Sequence, residues 1–302
     1  MANLLLVTSP PASGKTYWIE SFAHVSSQQI LVISPLRALA DECHLRWKEK
    51  VLVMTPEEWL LKKTFPEIVI FDEFHLLYYW GDSFRPVLWE VFLALGLGAK
   101  LVIGLTATLS REMKTEVELL EPGFDQIIWQ DFGNQILKHT PVKYYQLGKR
   151  LIESSLLHLP GKKTTLVFCE FREEVLHWEK KLMKRGHTVW TCRGGEAAAF
   201  GERVRKENPP EFIVCTTVLS HGVNLPRIER VFLMYPIENK DFWIQMVARG
   251  GRRGEPFRVF ALEPPHGLRW DRTRNSCQSG ILRLNILFSQ FMDQLQECFL
   301  KE

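Results

Sequence analysis

Long hydrophobic runs are missing. No apolar stretch among the 302 residues approaches the ~20 residues that a helix needs to cross a bilayer. A basic, apolar, small-residue leader is missing too, so no targeting segment is expected. So are C-x-x-C pairs. The six cysteines, Cys43, Cys169, Cys192, Cys215, Cys277 and Cys298, are scattered. That argues against a structural zinc or an iron–sulfur cluster and suits the reduced thiols of a cytoplasmic protein. A strong charge of one sign is also absent. The net charge of +3 permits a nucleic-acid partner without demanding one, and any binding face must be a local patch. What is present is ordinary globular stock, 46% apolar and 24% charged, at a length that suits two domains.

The chain is organised around Ser9-Pro10-Pro11-Ala12-Ser13-Gly14-Lys15-Thr16. An apolar run, Asn3-Leu4-Leu5-Leu6-Val7-Thr8, precedes it, and Tyr17-Trp18-Ile19 follows. This is the order buried strand, glycine-bearing turn, helix. Gly14-Lys15-Thr16 is the tail of a phosphate loop. Amides at a helix N-terminus face a polyphosphate, a lysine reaches its outer oxygens, and a threonine hydroxyl ligates magnesium. Ser9 stands at the pattern's first glycine, and Ala12 where glycine is common. Pro10 and Pro11 offer no N–H, so the amides of Ser13, Gly14, Lys15 and Thr16 must do the cradling.

Residues 30–34, 51–54, 68–72 and 101–106 are further short apolar runs, with helical patterns over residues 37–48 and 84–95. The alternation predicts a parallel sheet covered on both faces. Ligands of such sheets sit at the carboxyl ends of the strands. One such end is Asp72-Glu73-Phe74-His75. An aspartate there can hold magnesium through water, and the next glutamate can orient or deprotonate an attacking water.

With Gly-Lys-Thr and D-E-F-H in this order, the chain resembles superfamily 2 helicases of the DExH type. Ser34-Pro35-Leu36-Arg37 is similar to their motif Ia, Thr55-Pro56-Glu57 to motif Ib, and Thr106-Ala107-Thr108 to motif III. Residues 72–90 resemble their D-E-x-H-L-L stretch with its later arginine and L-E pair. The periodicity weakens after Phe124, and residues 130–141 read as a linker. A second strand series follows, over residues 142–146, 165–168, 187–190, 212–216, 230–235 and 257–262, with helices over 173–185 and 241–248. It is not a sequence repeat, because it carries no second phosphate loop. Leu166-Val167-Phe168-Cys169 with Arg172 resembles motif IV. Residues 216–226, ending Gly222-Val223-Asn224-Leu225-Pro226, resemble motif V in the form of Ski-like and Lhr-like DExH helicases. Gln245, Arg249 and Arg252 match motif VI.

The resemblance implies two tandem RecA-like α/β domains, over residues 1–135 and 136–302, the second with a terminal amphipathic helix. It implies ATP and Mg2+ as cofactors. Lys15, Asp72, Glu73, Gln245, Arg249 and Arg252 would carry the chemistry. Ser13, Gly14, Lys15, Thr16, Gly222 and Asn224 would hold the nucleotide, and Thr16 and Asp72 the metal. His75, Thr106, Ala107 and Thr108 would couple the nucleotide to the strand. Pro35, Arg37, Thr55, Pro56, Phe168, Arg172, Thr216 and Thr217 would meet the nucleic acid. An arginine fork suits the spread charge of a phosphoryl-transfer transition state better than lysine does. The implied partner is a single strand, or a duplex with a single-stranded overhang, of DNA or RNA. No membrane partner is implied.

The implied activity is ATP-driven translocation with local unwinding by a monomer. Processive DExH relatives carry a wedging β-hairpin between motifs V and VI. The connections here, residues 223–229 and 236–240, are shorter than the ~10 residues a hairpin needs. The apolar spacing of Ile281, Leu284, Leu287, Phe288, Phe291, Leu295 and Phe299 predicts a closing helix packed on the second domain, with a partner-binding face as the alternative. Three rival activities remain at this point: a motor that does not separate strands, a nucleic-acid-binding module without catalysis, and a phosphate-loop kinase or GTPase. The second strand series with its arginine motif argues against the last.

Overall fold

The computed structural model describes residues 2–36, 40, 51–81, 83, 85–120, 123–161 and 163–262. Arg37, the helix expected over residues 37–48 and the tail helix lie outside the described residues, as do Cys43, Cys277 and Cys298. The chain divides into two compact units, with the boundary between Lys138 and His139.

The first unit runs β1 (Asn3–Thr8), α1 (Lys15–Val25), β2 (Ile30–Ile33), β3 (Val51–Met54), α2 (Pro56–Lys62), β4 (Ile68–Phe71), α3 (His75–Gly81), α4 (Val87–Gly98), β5 (Leu101–Thr106), α5 (Arg111–Glu118) and β6 (Gln126–Asp131). Its strands form one sheet, ordered β3-β2-β4-β5-β1-β6. Every pairing is parallel. Neighbouring residues of each strand face opposite sides, which is why the runs are apolar throughout. Leu4, Leu6, Val69 and Phe71 pack on one side with Leu88, Phe92 and Leu95 of α4. Leu5, Val7, Ile68 and Ile70 pack on the other with Trp18, Ile19 and Phe22 of α1.

The second unit runs β7 (Lys143–Leu147), α6 (Lys149–Leu157), β8 (Thr165–Phe168), α7 (Arg172–Met183), β9 (Val189–Cys192), α8 (Ala197–Lys206), β10 (Phe212–Cys215), a 3-10 turn (Thr217–Ser220), β11 (Arg230–Leu233), α9 (Lys240–Val247) and β12 (Arg258–Leu262). The sheet order is β7-β12-β11-β8-β10-β9, again parallel throughout. Val167, Phe212, Val214 and Phe232 meet Val175, Trp178 and Leu182 of α7 in its core. Burial pushes the thiols of Cys169 and Cys192 up to about 12, and that of Cys215 up as well, so these thiols are unreactive packing groups.

The expected α/β class with two parallel sheets holds. Two strand expectations are corrected. Residues 126–131, partly assigned to a linker, form β6 beside β1. The strand expected over 187–190 lies instead at Val189–Cys192. Among the described residues between Gly222 and α9, the one strand is β11.

Candidate functional site

The phosphate loop leaves β1 and ends at α1, whose N-cap is Gly14 at φ +101. Ala12 also sits in the left-handed region, at φ 62. This is why glycine is common at that position, since a Cβ there costs roughly 1–2 kcal/mol. The loop is closed by its own groups. Lys15 Nζ donates to the carbonyls of Ser9 (3.2 Å) and Pro10 (3.4 Å), and the hydroxyls of Ser9 and Ser13 lie 2.9 Å apart. Lys15 and Thr16, the first residues of α1, are half-buried.

At the tip of β4, Asp72 is buried and Glu73 takes φ 51. A non-glycine residue held in this region stores strain of about 1–3 kcal/mol, which is characteristic of functional turns. The turn is fixed from three sides. Asp72 N–H donates to Ile33 O at 3.0 Å, Phe74 N–H to Leu105 O at 2.8 Å, and Glu73 N–H to Asp72 Oδ1 at 3.0 Å. Gly104 of β5 leaves room for Phe74, whose ring would lie 2.7 Å from an added Cβ. His75 is fully buried, with Nδ1 2.9 Å from Thr106 Oγ1 and 3.5 Å from Glu73 Oε2. Thr106 Oγ1 in turn donates to Thr108 O at 2.8 Å and accepts from Thr108 N–H at 3.2 Å. The structure thus joins Glu73, His75, Thr106 and Thr108 in one buried chain, with Ala107 buried between the threonines. Thr108 Oγ1 is buried without a hydrogen-bond partner.

Burial, then the neighbouring Glu73 carboxylate, pushes Asp72 up to about 7, against an opposing pull from Lys15. A buried carboxyl beside a second carboxylate favours a cation, and carboxylate with threonine oxygens is a donor set that suits magnesium. The group's acidity is weaker folded than unfolded. Its contribution to stability is therefore complete below about 3.8 and is lost as the pH rises through about 7. Thermal unfolding of the metal-free protein should show a stability that declines over this window by a few kcal/mol at most, roughly. Asp72→Asn should flatten the decline. An unchanged slope in Asp72→Asn would assign the titration elsewhere.

Residues at the tips of β2 and β3 take a form the sequence does not show. Pro35 is buried. Thr55 caps α2 in a capping box: its hydroxyl accepts from Glu58 N–H (3.3 Å), and its own N–H donates to Glu58 Oε2 (2.9 Å). Thr55 and Pro56 are both buried.

The segment expected to be free linker is built onto the phosphate loop. Asp131 Oδ1 accepts from Thr8 Oγ1 (2.9 Å) and from the amides of Gly133 (2.8 Å) and Asn134 (2.7 Å). The Asn134 amide pairs with both backbone groups of Leu109, at 2.7 and 2.9 Å. Gln135 N–H donates to Ala107 O at 3.2 Å. Lys138 Nζ donates to Ala12 O at 3.0 Å and so holds the left-handed turn. Asp131, Asn134 and Lys138 brace the loops at these strand tips, and sequence reasoning missed them. The one available signal was the polar cluster after an apolar run.

In the second unit, Phe168 is fully buried at the end of the central strand β8. Its side chain offers no surface, as with Pro35, Thr55 and Pro56. Arg172, by contrast, is exposed and reaches Gly194 O at 3.1 Å. Thr216 is half-buried and Thr217 exposed, at the turn after β10. Gly222 turns at φ 75, and Asn224 is exposed beyond it. Arg249 is buried inside this loop: Nε donates to Ser220 O (2.9 Å) and Nη1 to Val223 O (2.8 Å). Arg252 is half-buried in the next turn. Phe257, which is buried, anchors that turn, for its ring would lie 2.3 Å from a Cβ at Gly250 and 2.5 Å from one at Gly251. The buried side-chain nitrogen of Gln245 has no hydrogen-bond partner, an incomplete network of the kind a bound group completes.

Residues 148–254 match the family of the helicase conserved C-terminal domain. The RecQ ATP-dependent DNA helicase of Synechocystis sp. is 24% identical over 314 residues, covering 85% of this chain and 64% of the relative. The pre-mRNA-processing ATP-dependent RNA helicase PRP5 of Kluyveromyces lactis is 28% identical over 123 residues, 39% of this chain and 15% of the relative. The chain spans less than two thirds of the length of either. Among solved structures, S. cerevisiae Dbp5 bound to RNA and ADP BeF3 superposes with a TM-score of 0.65 at 14% identity, covering 95% of this chain and 83% of that one. Mycobacterium smegmatis Lhr bound to ssDNA and AMP-PNP gives 0.62 at 16%, covering 86% and 43%. The fold shared with these structures is that of tandem RecA-like domains.

Proposed function

We propose that the chain is an ATP-dependent nucleic-acid helicase or translocase of the DExH type. The carrying observation is the set of chemical groups at the strand tips of the first sheet, followed by a unit that matches a helicase C-terminal domain. Lys15 and the amides of residues 13–16 hold the phosphates. Asp72 and Thr16 would hold magnesium, which would supply positive charge at the transferring phosphoryl group. Glu73 orients and deprotonates the attacking water. Gln245 and Arg252 complete the chemistry, as the resemblance implies, while Arg249 positions the loop from Ser220 to Val223. The chain His75–Thr106–Thr108 reports the state of Glu73 to the strand. Lys138 ties the phosphate loop to the residues that lead into the second unit. The solved relatives bound to RNA or ssDNA with ATP analogues support a single strand as partner.

Grips of this kind touch phosphates and sugars, so base sequence should matter little. The absence of a paired hairpin between Gly222 and α9 among the described residues points to local unwinding. In single-turnover displacement with a trap, duplexes with a 3′ single-stranded overhang should be separated when short, with amplitude falling steeply as length grows. Efficient displacement of long duplexes would overturn the local-unwinding reading.

A further inference from the structure

Arg85 belongs to the turn after α3, where its N–H donates to Trp80 O at 2.9 Å. Its guanidinium forks onto Glu57, Nε to Oε1 at 2.8 Å and Nη2 to Oε2 at 2.8 Å. The third nitrogen, Nη1, donates to the carbonyl of Pro35. One side chain therefore holds two segments that lie 28 and 50 residues away from it. Glu57 is in the first turn of α2, directly after Thr55 and Pro56. Pro35 follows the tip of β2, two positions before Arg37. The guanidinium is planar and rigid, so its fork fixes the carboxylate and the carbonyl relative to each other. The Arg85 guanidinium also holds the Glu57 carboxyl below the usual range. The side chains are 19% and 52% exposed, so the ion pair adds little to stability and its effect is geometric.

We propose that Arg85 is a positioning residue for the nucleic-acid grip, setting the spacing between the Pro35 turn and the start of α2 so that both meet one strand in register. This rests on the reading of those two turns as strand-binding. An ordinary surface charge pair makes the opposite forecast for one variant. Removing the Glu57 carboxylate would lessen repulsion of an anionic polymer and tighten binding. If Glu57 anchors Arg85, removing it loosens the grip and weakens binding.

The test is the single-strand concentration that half-saturates the ATPase of the full chain, for oligo-dT and oligo-U of fixed length at two salt concentrations. Arg85→Ala should raise it about tenfold, Arg85→Lys about threefold and Glu57→Gln about twofold to fivefold, with the rate at saturating polymer changed by less than about twofold. Glu57→Arg combined with Arg85→Glu should fail to restore the parent value, because glutamate cannot donate to Pro35. Thermal midpoints check folding, and the half-exposed Glu57→Gln carries the test if Arg85→Ala does not fold. Parent-like or tighter binding by Glu57→Gln, or restoration by the charge swap, would overturn the inference. A drop of about one in the salt slope of Arg85→Ala would also overturn it, by making Arg85 a direct phosphate contact. A parent protein indifferent to both polymers would instead overturn the functional reading, and this inference with it.

Discussion

Glu73→Gln is expected to bind ATP as the parent does and to turn it over slower by roughly 10²–10⁴, the range of a lost general base. The glutamine keeps the shape of the side chain and loses its basicity. The backbone of residue 73 is already committed to φ 51, and its neighbours Asp72 and Phe74 are tied to β2 and β5, so the substitution leaves the turn in place. Lys15→Ala should remove turnover altogether. The Lys15 ammonium donates to two loop carbonyls and is the cation proposed to meet the phosphates. Nucleotide binding by fluorescence and turnover by phosphate release separate the two effects. Parent-rate hydrolysis by Glu73→Gln would remove this residue from the chemistry.

Arg252→Ala is expected to lower turnover by ~10³ or more, as the loss of an arginine finger does, with a smaller change in ATP affinity. Its neighbour makes the control. Arg249→Ala leaves the carbonyls of Ser220 and Val223 without their donor, in a place where Arg249 is buried. At about 1–3 kcal/mol for each unsatisfied group, that variant should unfold at a markedly lower temperature. Turnover by Arg252→Ala, half-buried at a turn held by Phe257, is read at a temperature where both variants are folded. A catalytic loss in Arg249→Ala without destabilisation would reverse the division of labour proposed for these arginines.

The buried strands were legible because a strand covered on both faces must be apolar at every position. Residues 3–8 and 101–106 show it, and they fall on β1 and β5 without a shift. Edge strands do not carry that signal. β6 mixes exposed and half-buried residues and pairs with β1 alone, so its last two residues, Gln130 and Asp131, read as linker. β9 is likewise an edge strand, and its expected position was off by two residues. The phosphate loop and D-E-F-H were legible because their chemistry is local: consecutive residues at one strand tip. Lys138 was not, for it acts on Ala12, 126 residues away. Arg85 was not, for its two partners come from separate strand tips. Phe168 shows what a motif leaves open. A resemblance assigns a residue to a motif, but the register of β8 decides which side chains of the motif see solvent, and Phe168 does not.

The proposed activity couples nucleotide turnover to a nucleic-acid strand. Its most direct test is the steady-state ATPase rate of the full chain with magnesium, measured without polymer, with single-stranded DNA and with single-stranded RNA. Such coupling should give a severalfold rise with at least one polymer, a rise that shrinks as salt increases if the strand is held by its phosphates. It also predicts no turnover by Lys15→Ala in any of the three conditions. A basal rate that neither polymer changes, in a protein that Lys15→Ala still silences, would contradict it and leave a nucleotide hydrolase of another kind.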